Sequence, residues 1–204
     1  MSVISIDVMN AMRYIGVSTE DYELSSASFI RRQISRIHGI GHIYRVMIFV
    51  ALLAERKQKS REGLLAFCAA YLHDLARLND GWDPEHGFRA VSLMSQYNAL
   101  WEKYNLSSVE LEYIKYAMAN HNKGCRYSGD LSKEMVVSLL KDADALDRVR
   151  FNNYKARLKI AWLQYEESKT LINLAQQVYM QTYRIDRIGM PINLQQFISL
   201  LQLE

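Results

Sequence analysis

The central stretch of the chain, Leu64 to Ala76, is apolar at nearly every position and contains the adjacent pair His73-Asp74 near its end. This pattern predicts a helix that is buried on all sides. Burial of an ionised carboxylate beside an imidazole is costly unless a partner compensates for the charge, and a metal cation is the usual partner. The pair alone fits equally well a helix C-terminus where the histidine is hydrogen-bonded and the aspartate faces solvent.

One candidate partner is His42, which opens a predicted helix after the turn around Gly39 and Gly41. Val46 and Phe49 share its helical face, so the imidazole points into the core rather than away from it. A lone histidine in such a position is more often a hydrogen-bonded core residue. Only the presence of the other candidates favours a metal ligand.

A second candidate partner is Asp144, in a helix predicted for residues 133 to 149. Val136 and Leu140 precede it on one stripe of that helix. Asp142 lies about 200° away around the helix, at ~100° per residue, so both carboxylates cannot face the same metal. Two imidazoles and two carboxylates from three helices suit the coordination shell of a divalent cation.

The order of these residues resembles that of the HD-domain metal-dependent phosphohydrolases. The resemblance covers roughly Phe29 to Arg150 and includes the Asp142-Ala143-Asp144-Ala145-Leu146-Asp147 stretch around the late aspartate. It implies a divalent metal, which would be manganese, iron, cobalt, nickel, magnesium or zinc. One ion is expected, and a second is compatible with the residues present.

The resemblance also implies that members with two metals carry further histidines between the doublet and the last aspartate. His86 and His121 stand in that interval, and Asp74 could bridge two ions. His86 follows Asp74 by only twelve residues, which is closer than that pattern implies. It is therefore either a ligand or a general acid for the leaving group. His121 shares an inward face with Ile114 and Met118. Its alternative role is that of a C-terminal histidine beside the helix dipole.

Catalysis would depend on Asp74, which could orient or deprotonate the attacking water. Arg45 lies one turn after His42, and Arg77 lies one turn after His73. Both arginines are therefore expected to project toward the metal and to bind a phosphoryl group. A salt bridge at a helix end is an equally good interpretation of each.

Further roles are assigned to four residues near the motif. Asp147 and Arg148, one turn beyond Asp144, are expected to support the metal ligands, and Arg148 is also a candidate for substrate binding. His86 is a second substrate-binding candidate because the amide-rich start of a helix suits a phosphate. His38, in the glycine-flanked turn, is assigned a structural role.

Local signals elsewhere predict further helices. Apolar spacing predicts a helix from Ser25 to Ile37, and Asp83-Pro84 predicts the N-cap of a helix that runs to about Tyr104. Ser107 begins a capping box, and a last short helix runs from Pro191 to about Leu203. The aromatic residues of the C-terminal half are interpreted as core and lid packing rather than as a base-stacking platform: Tyr154, Trp162, Tyr165, Tyr179 and Tyr183.

Length and composition predict one all-α domain, a helical bundle of about eight to ten helices by the count of periodic segments. Residues 1–24 are expected to be a helical extension, residues 25–150 the core with the metal site, and residues 151–204 helices that complete the same domain. Half of the 204 residues are hydrophobic, which is ample for a core. Two prolines and nine glycines argue against a loop-rich or all-β fold.

Charge and cysteine content limit the expected partners. The net charge is only +3, so nucleic-acid binding is not favoured. Nucleic-acid binding is not excluded, because four arginines cluster near the motif in the sequence: Arg31, Arg32, Arg36 and Arg45. The longest apolar run, Val46 to Ala54, is too short to span a bilayer. Cys68, expected in the core, and Cys125, expected in an exposed loop, do not make a disulfide framework. We expect a cytoplasmic protein without a membrane partner, and the oligomeric state is left open.

The expected activity is hydrolysis of a nucleotide or another small phosphate ester by metal-activated water. Phosphomonoesters and phosphodiesters are not distinguished by the residues. Three alternatives stay open. A metal-dependent single-strand nuclease would bind its substrate with strong salt dependence. A di-iron oxygenase could use the same ligand set. A non-catalytic regulatory module would use the metal only for stability.

Overall fold

A computed structural model describes residues 2–124, 128–151 and 157–202 of the chain. Helices dominate this part of the chain, which confirms the predicted all-α class. Two-residue strands β1 (Glu23–Leu24) and β2 (Ile192–Asn193) pair in antiparallel fashion, a contact that the sequence did not predict. The α-helices are α1 (Val3–Tyr14), α2 (Ile40–Lys57), α3 (Ser60–Leu72), α4 (His86–Ala90), α5 (Asn98–Lys103), α6 (Ser108–Asn120), α7 (Leu131–Leu146), α8 (Glu166–Thr170), α9 (Ile172–Thr182) and α10 (Leu194–Ser199).

The core is built around α2, in which every residue from Ile40 to Ala54 is buried. Helix α3 packs along α2, α7 packs on both, and α6 packs on α3 and α7. Gly63 permits the close approach of α3 to α2, because a Cβ atom at Gly63 would lie 2.3 Å from Cβ of Ala54. Four helices that carry motif residues or lead into them therefore pack against one another.

Helices from both ends of the described chain pack against α2. Helix α1 packs on α2 and ends at Tyr14, two residues before Gly16, whose φ of +74° lies outside the helical range. Helices α9 and α10 also contact α2. The buried hydroxyl of Tyr44 lies 2.9 Å from the carbonyl oxygen of Tyr22 and 2.6 Å from that of Ile192. One phenol of α2 therefore contacts the segments on either side of the small sheet.

The helix predicted from Ser25 to Ile37 is wrong. A short 3-10 turn covers Ser26–Ser28, and Arg32 has a φ of +48°, which an α-helix does not allow. The hydroxyl of Ser35 accepts hydrogen bonds from the amides of Ile37 and His38. Serine side chains that bind nearby amides compete with helical hydrogen bonds, and this competition outweighs the apolar spacing.

The helix predicted from Pro84 to Tyr104 is interrupted. Helix α4 ends at Ala90, residues Val91–Tyr97 form a 3-10 segment, and α5 follows. Asp83 is not the N-cap, because its carboxylate accepts hydrogen bonds from the amide of Leu78 and from Arg89. Helix α3 also ends earlier than predicted, at Leu72.

Other local predictions have mixed outcomes. The capping box of Ser107 is confirmed by reciprocal hydrogen bonds with Glu110. The last helix begins at Leu194 rather than at Pro191. Cys125 and Tyr154 lie outside the described residues. None of the helices in the described ranges is both long and apolar enough to cross a membrane.

Candidate metal centre

The candidate ligands stand at the ends of helices, and at C-terminal ends the backbone carbonyl groups are free to accept hydrogen bonds. His73 is the C-cap residue of α3, and His121 is the C-cap residue of α6. His42 lies in the first turn of α2, and His86 is the first residue of α4. Asp144 lies in the last turn of α7. Helix packing places these ends beside the buried carboxylate that follows α3.

Hydrogen bonds orient all four imidazoles in the same sense. Nδ1 of His73 donates to the carbonyl oxygen of Ala70, and Nδ1 of His121 donates to that of Met118, each at 2.7 Å. These contacts fix the tautomer, because a ring nitrogen that faces a carbonyl must carry the proton. Each ring therefore presents the lone pair of Nε2 toward the centre.

The other two imidazoles follow the same rule with different acceptors. Nδ1 of His42 donates to Oδ2 of Asp147 at 2.7 Å, as expected for a residue that supports the metal ligands. Nδ1 of His86 donates to the carbonyl oxygen of Asp83. Second partners of this kind fix the orientation of histidine ligands in metal sites.

A first group of donors surrounds Nε2 of His42. This atom lies 3.3 Å from Nε2 of His73, 3.4 Å from Oδ1 of Asp144 and 3.4 Å from Oδ2 of Asp74. Two lone pairs that face each other repel unless a proton or a cation lies between them. The spacing suits donors that share one ion at about 2.0–2.2 Å. As predicted, Asp144 and not Asp142 is the carboxylate that joins this group.

A second group of donors surrounds the other oxygen of Asp74. Oδ1 lies 2.9 Å from Nε2 of His86 and 4.0 Å from Nε2 of His121. The two Nε2 atoms lie 2.9 Å apart. Gly87 allows this approach of α4 to α6, because a Cβ atom there would lie 2.1 Å from the carbonyl oxygen of Met118. The sequence prediction that His86 and His121 accompany the doublet is supported by this geometry.

Burial controls the protonation of these groups. It lowers the pKa of His121 to about 3 and that of His38 to about 4, and it also lowers the pKa of His73. These three imidazoles are neutral at pH 7. Burial opposes ionisation of Asp74, but the imidazoles of His73 and His38 outweigh it, and the pKa of Asp74 lies well below its usual value. Burial lowers the pKa of His42 as well, but the hydrogen bonds to Asp147 and Asp74 outweigh it, and the pKa of His42 is raised. An ionised carboxylate beside the neutral imidazoles of His38, His73 and His121 is a donor set that suits a divalent cation.

Access to the centre is limited. The side chains of His42 and His73 are fully buried, and that of Asp74 is 2 % exposed. The side chain of Asp144 is 26 % exposed and that of His38 is 16 % exposed. A substrate would therefore approach along the side where Asp144 and His38 lie.

Arg77 borders the second group of donors, as the sequence predicts. Its Nη1 lies 3.5 Å from Oδ1 of Asp74 and 3.3 Å from Nε2 of His86. Nη2 donates to the carbonyl oxygen of Gly81 at 2.8 Å. The loop carbonyl therefore fixes the guanidinium beside the candidate ligands.

Arg45 is not placed where the sequence predicts it. Its guanidinium is fully buried and forms ion pairs with Asp147 and Asp186. The prediction that Arg45 binds a phosphoryl group is wrong, because no solvent reaches this side chain. The alternative interpretation, a salt bridge, is the one that the structure shows.

Arg148 also lies elsewhere than predicted. Its guanidinium covers the rings of Phe151 and Trp162, with centroid distances of 5.6 Å and 4.9 Å. Cation–π contacts of this kind hold a side chain against the protein surface. The geometry therefore gives no support to a role of Arg148 in substrate binding.

His38 is the residue whose role the sequence interpretation missed. Its Nδ1 donates to Oδ2 of Asp74 at 2.8 Å, and its ring meets that of His42 at a centroid distance of 5.6 Å. His38, His42 and Asp74 form one of the groups that could hold a metal ion. The available signal was the four-residue spacing of His38 and His42, which was set aside because glycines separate them.

The family model described as the HD domain matches residues 39–149, more than half of the chain. The chain belongs to the HD domain family. Its members bind divalent metals and form part of a superfamily of metal-dependent phosphohydrolases. The matched segment contains both groups of candidate ligands but not His38. No curated protein and no solved structure matches the chain.

The depressed pKa of His121 predicts an acid dependence of stability for the metal-free HD domain. Its folded pKa is about 3, whereas an unfolded histidine titrates near 6.5. Between these values the unfolded chain binds a proton that the folded chain does not. The free energy of unfolding should therefore fall as the pH falls from 6.5 toward 3.

Thermal unfolding in the presence of a chelator, measured from pH 7.5 to pH 5, tests this expectation. The wild type should lose stability on acidification, and His121→Asn should show a shallower slope, by up to ~1.4 kcal/mol per pH unit. Equal slopes for the two proteins would contradict the assigned protonation.

Proposed function

We propose that this HD protein hydrolyses a nucleotide or another small phosphate ester with the aid of a divalent metal. The observation that carries the proposal is the convergence of imidazole and carboxylate donors on the two oxygens of Asp74. Each imidazole has its Nδ1 engaged in a hydrogen bond and faces the centre with Nε2. Such a preorganised donor set suits Lewis-acid catalysis of phosphoryl transfer.

The proposed ligands divide between the two oxygens of Asp74. His42, His73 and Asp144 would hold a first ion together with Oδ2, and His86 and His121 would hold a second ion together with Oδ1. A bound divalent cation would polarise the phosphoryl oxygen and lower the pKa of water. The metal could be manganese, iron, cobalt, nickel, magnesium or zinc, since imidazole and carboxylate ligands accept all of them.

The side chains around the donors have distinct tasks in this proposal. Asp74 orients the attacking water or accepts its proton. Arg77 neutralises charge that develops on the phosphoryl oxygens. His86 either completes the second ion site or gives a proton to the leaving group. Its contact with Arg77 is compatible with both roles.

Positive charge in the loop that carries His38 supports an anionic substrate. Arg32 and Arg36 are exposed in the loop that carries His38, and positive charge there favours the approach of a phosphate. A net charge of +3 without a long basic block does not favour a nucleic acid. We also propose a cytoplasmic location, which the free, buried thiol of Cys68 supports.

A screen for phosphate release tests the function. Nucleotides and simple phosphomonoesters and diesters are incubated with protein loaded with Mn²⁺, Co²⁺, Ni²⁺ or Fe²⁺. We expect release from at least one small ester, and Asp74→Asn should abolish it. Asp142→Asn is the matched control, because Asp142 is buried in the same region but binds backbone amides of Gln164 and Tyr165 instead of the histidines.

Other outcomes of the screen would contradict the proposal. Salt-dependent cleavage of single strands without release from small esters would favour a nuclease. Consumption of oxygen by the Fe²⁺-loaded protein would favour a di-iron oxygenase. Metal binding without any turnover would favour a regulatory module.

Substitution of Arg77 tests phosphate recognition. Arg77→Ala should lower kcat/KM by tenfold or more, about 1.4 kcal/mol, because a fixed positive charge beside the phosphoryl group is lost. Metal content should not change. Arg61→Ala is the control, since Arg61 pairs with Glu110 away from the donors. Unchanged kinetics for Arg77→Ala would reduce Arg77 to a structural role.

Metal stoichiometry tests the second ion. The saturated wild type should bind two ions, about 3.5–4 Å apart, and His121→Ala should lose one and keep the other. Asn120→Ala, at the neighbouring position, should keep both. Saturation of the wild type at one ion would defeat the two-metal version and leave the one-metal hydrolase. His86→Ala separates the two roles of His86. Loss of metal from the variant would identify His86 as a ligand, and loss of rate alone would identify it as a general acid.

A further inference from the structure

A cluster of buried ionised groups lies on the Nδ1 side of His42, opposite the candidate metal centre. The carboxylate of Asp147 accepts hydrogen bonds from three sides: from Nδ1 of His42 at 2.7 Å, from Nε of Arg45 at 2.5 Å and from Nη1 of Arg150 at 2.8 Å. The side chains of Asp147 and Arg45 are fully buried. The orientation of His42 therefore depends on how this carboxylate is held.

Asp186 closes the cluster from the C-terminal part of the chain. It lies in a 3-10 segment, Tyr183–Arg187, and its side chain is 7 % exposed. Its carboxylate accepts hydrogen bonds from Nη1 of Arg45 at 3.1 Å and from Nη2 at 3.3 Å. The guanidinium of Arg45 is thus divided between Asp147 and Asp186, and the ring of Tyr179 lies 5.2 Å from its Cζ.

The start of α2 is shaped to accept this ion pair. A Cβ atom at Gly41 would lie 2.2 Å from Oδ1 of Asp186 and 2.9 Å from Nη1 of Arg45. Only glycine leaves room for the carboxylate at this position, immediately before His42. The contact between Asp186 and α2 is therefore accommodated by the residue adjacent to a candidate ligand.

We propose that Asp186 is a positioning residue for the metal centre, which acts through Arg45 and Asp147 on the imidazole of His42. Asp186 lies outside residues 39–149, the segment that the HD family model matches. This positioning role therefore comes from the C-terminal part of the chain and not from the matched segment. The inference rests on the proposed metal-dependent function.

Charge balance explains the expected effect. Asp147 and Asp186 together balance Arg45 and Arg150 within the cluster. Loss of the Asp186 charge leaves an uncompensated positive charge next to His42, which disfavours a cation on the other side of the ring. It also weakens the acceptor of Nη1 and Nη2 of Arg45. These two atoms then compete with Nδ1 of His42 for the carboxylate of Asp147. Both effects reduce the strength of His42 as a ligand.

Titration with Co²⁺, followed in the visible absorption spectrum, measures both affinity and coordination geometry. We expect Asp186→Asn to raise the Kd for Co²⁺ by about tenfold, the lower end of the range for supporting residues of metal ligands. The visible bands should shift, because the ring of His42 is less firmly held. The variant keeps the side-chain volume, and circular dichroism verifies its fold.

The control is Asp142→Asn, which also removes a buried carboxylate but leaves the His42 cluster intact. Asp142 accepts a hydrogen bond from Oγ of Ser168 at 2.5 Å and lies two positions from Asp144. Asp142→Asn should lower the Tm without changing the Kd for Co²⁺ or the visible spectrum. A wild-type Kd in Asp186→Asn would overturn the proposal, and so would an equal rise of Kd in both variants.

A double variant covers the case in which Asp186→Asn does not fold. Arg45→Gln combined with Asp186→Asn removes the buried charges as a pair, which costs less than leaving one of them alone. It should also bind Co²⁺ about tenfold more weakly, because Asp147 loses the hydrogen bond from Nε of Arg45 that holds it beside His42, and wild-type affinity would overturn the proposal. These titrations need no substrate, so they stand whether or not hydrolysis is found. A wild type that binds no Co²⁺ would overturn the metal centre itself and the role of Asp186 with it.

Discussion

The carboxylate of Asp74 is the group on which the rest of the centre depends. It is almost completely buried, and one of its oxygens faces His42 and His38 while the other faces His86 and His121. An ionised carboxylate in such a place requires compensation. Arg77 supplies one positive charge near Oδ1, and the neutral imidazoles of His38, His73 and His121 supply hydrogen bonds but no charge. A divalent cation among the Nε2 atoms would satisfy the carboxylates and the facing lone pairs together.

Backbone carbonyl groups near helix ends orient several of these imidazoles. Carbonyl oxygens near the ends of α3 and α6 accept the Nδ1 protons of His73 and His121, which directs each Nε2 lone pair inward. Nδ1 of His42, in the first turn of α2, does not donate to a backbone carbonyl. A carboxylate, Asp147, takes that role, and this exception is what makes the ion pairs around Arg45 part of the centre.

Sequence reasoning predicted the parts of the site that lie on long periodic helices. His42 and Asp144 could be placed because apolar residues every three or four positions fix which face is buried. It failed for His38 and Asp186, which lie in a turn and a short 3-10 segment where no periodicity defines direction. Arg45 was misassigned for a different reason. One turn of separation from His42 gives the face of the helix, but it cannot show that two distant aspartates occupy that face.

The most direct test of the metal centre is the anomalous scattering of a crystal grown with Mn²⁺. A strong peak is expected between His42, His73, Asp74 and Asp144, within about 2.0–2.4 Å of both Nε2 atoms and of a carboxylate oxygen from each aspartate. The absence of a peak at this position would contradict the assignment, and so would imidazoles that present Nδ1 to the ion.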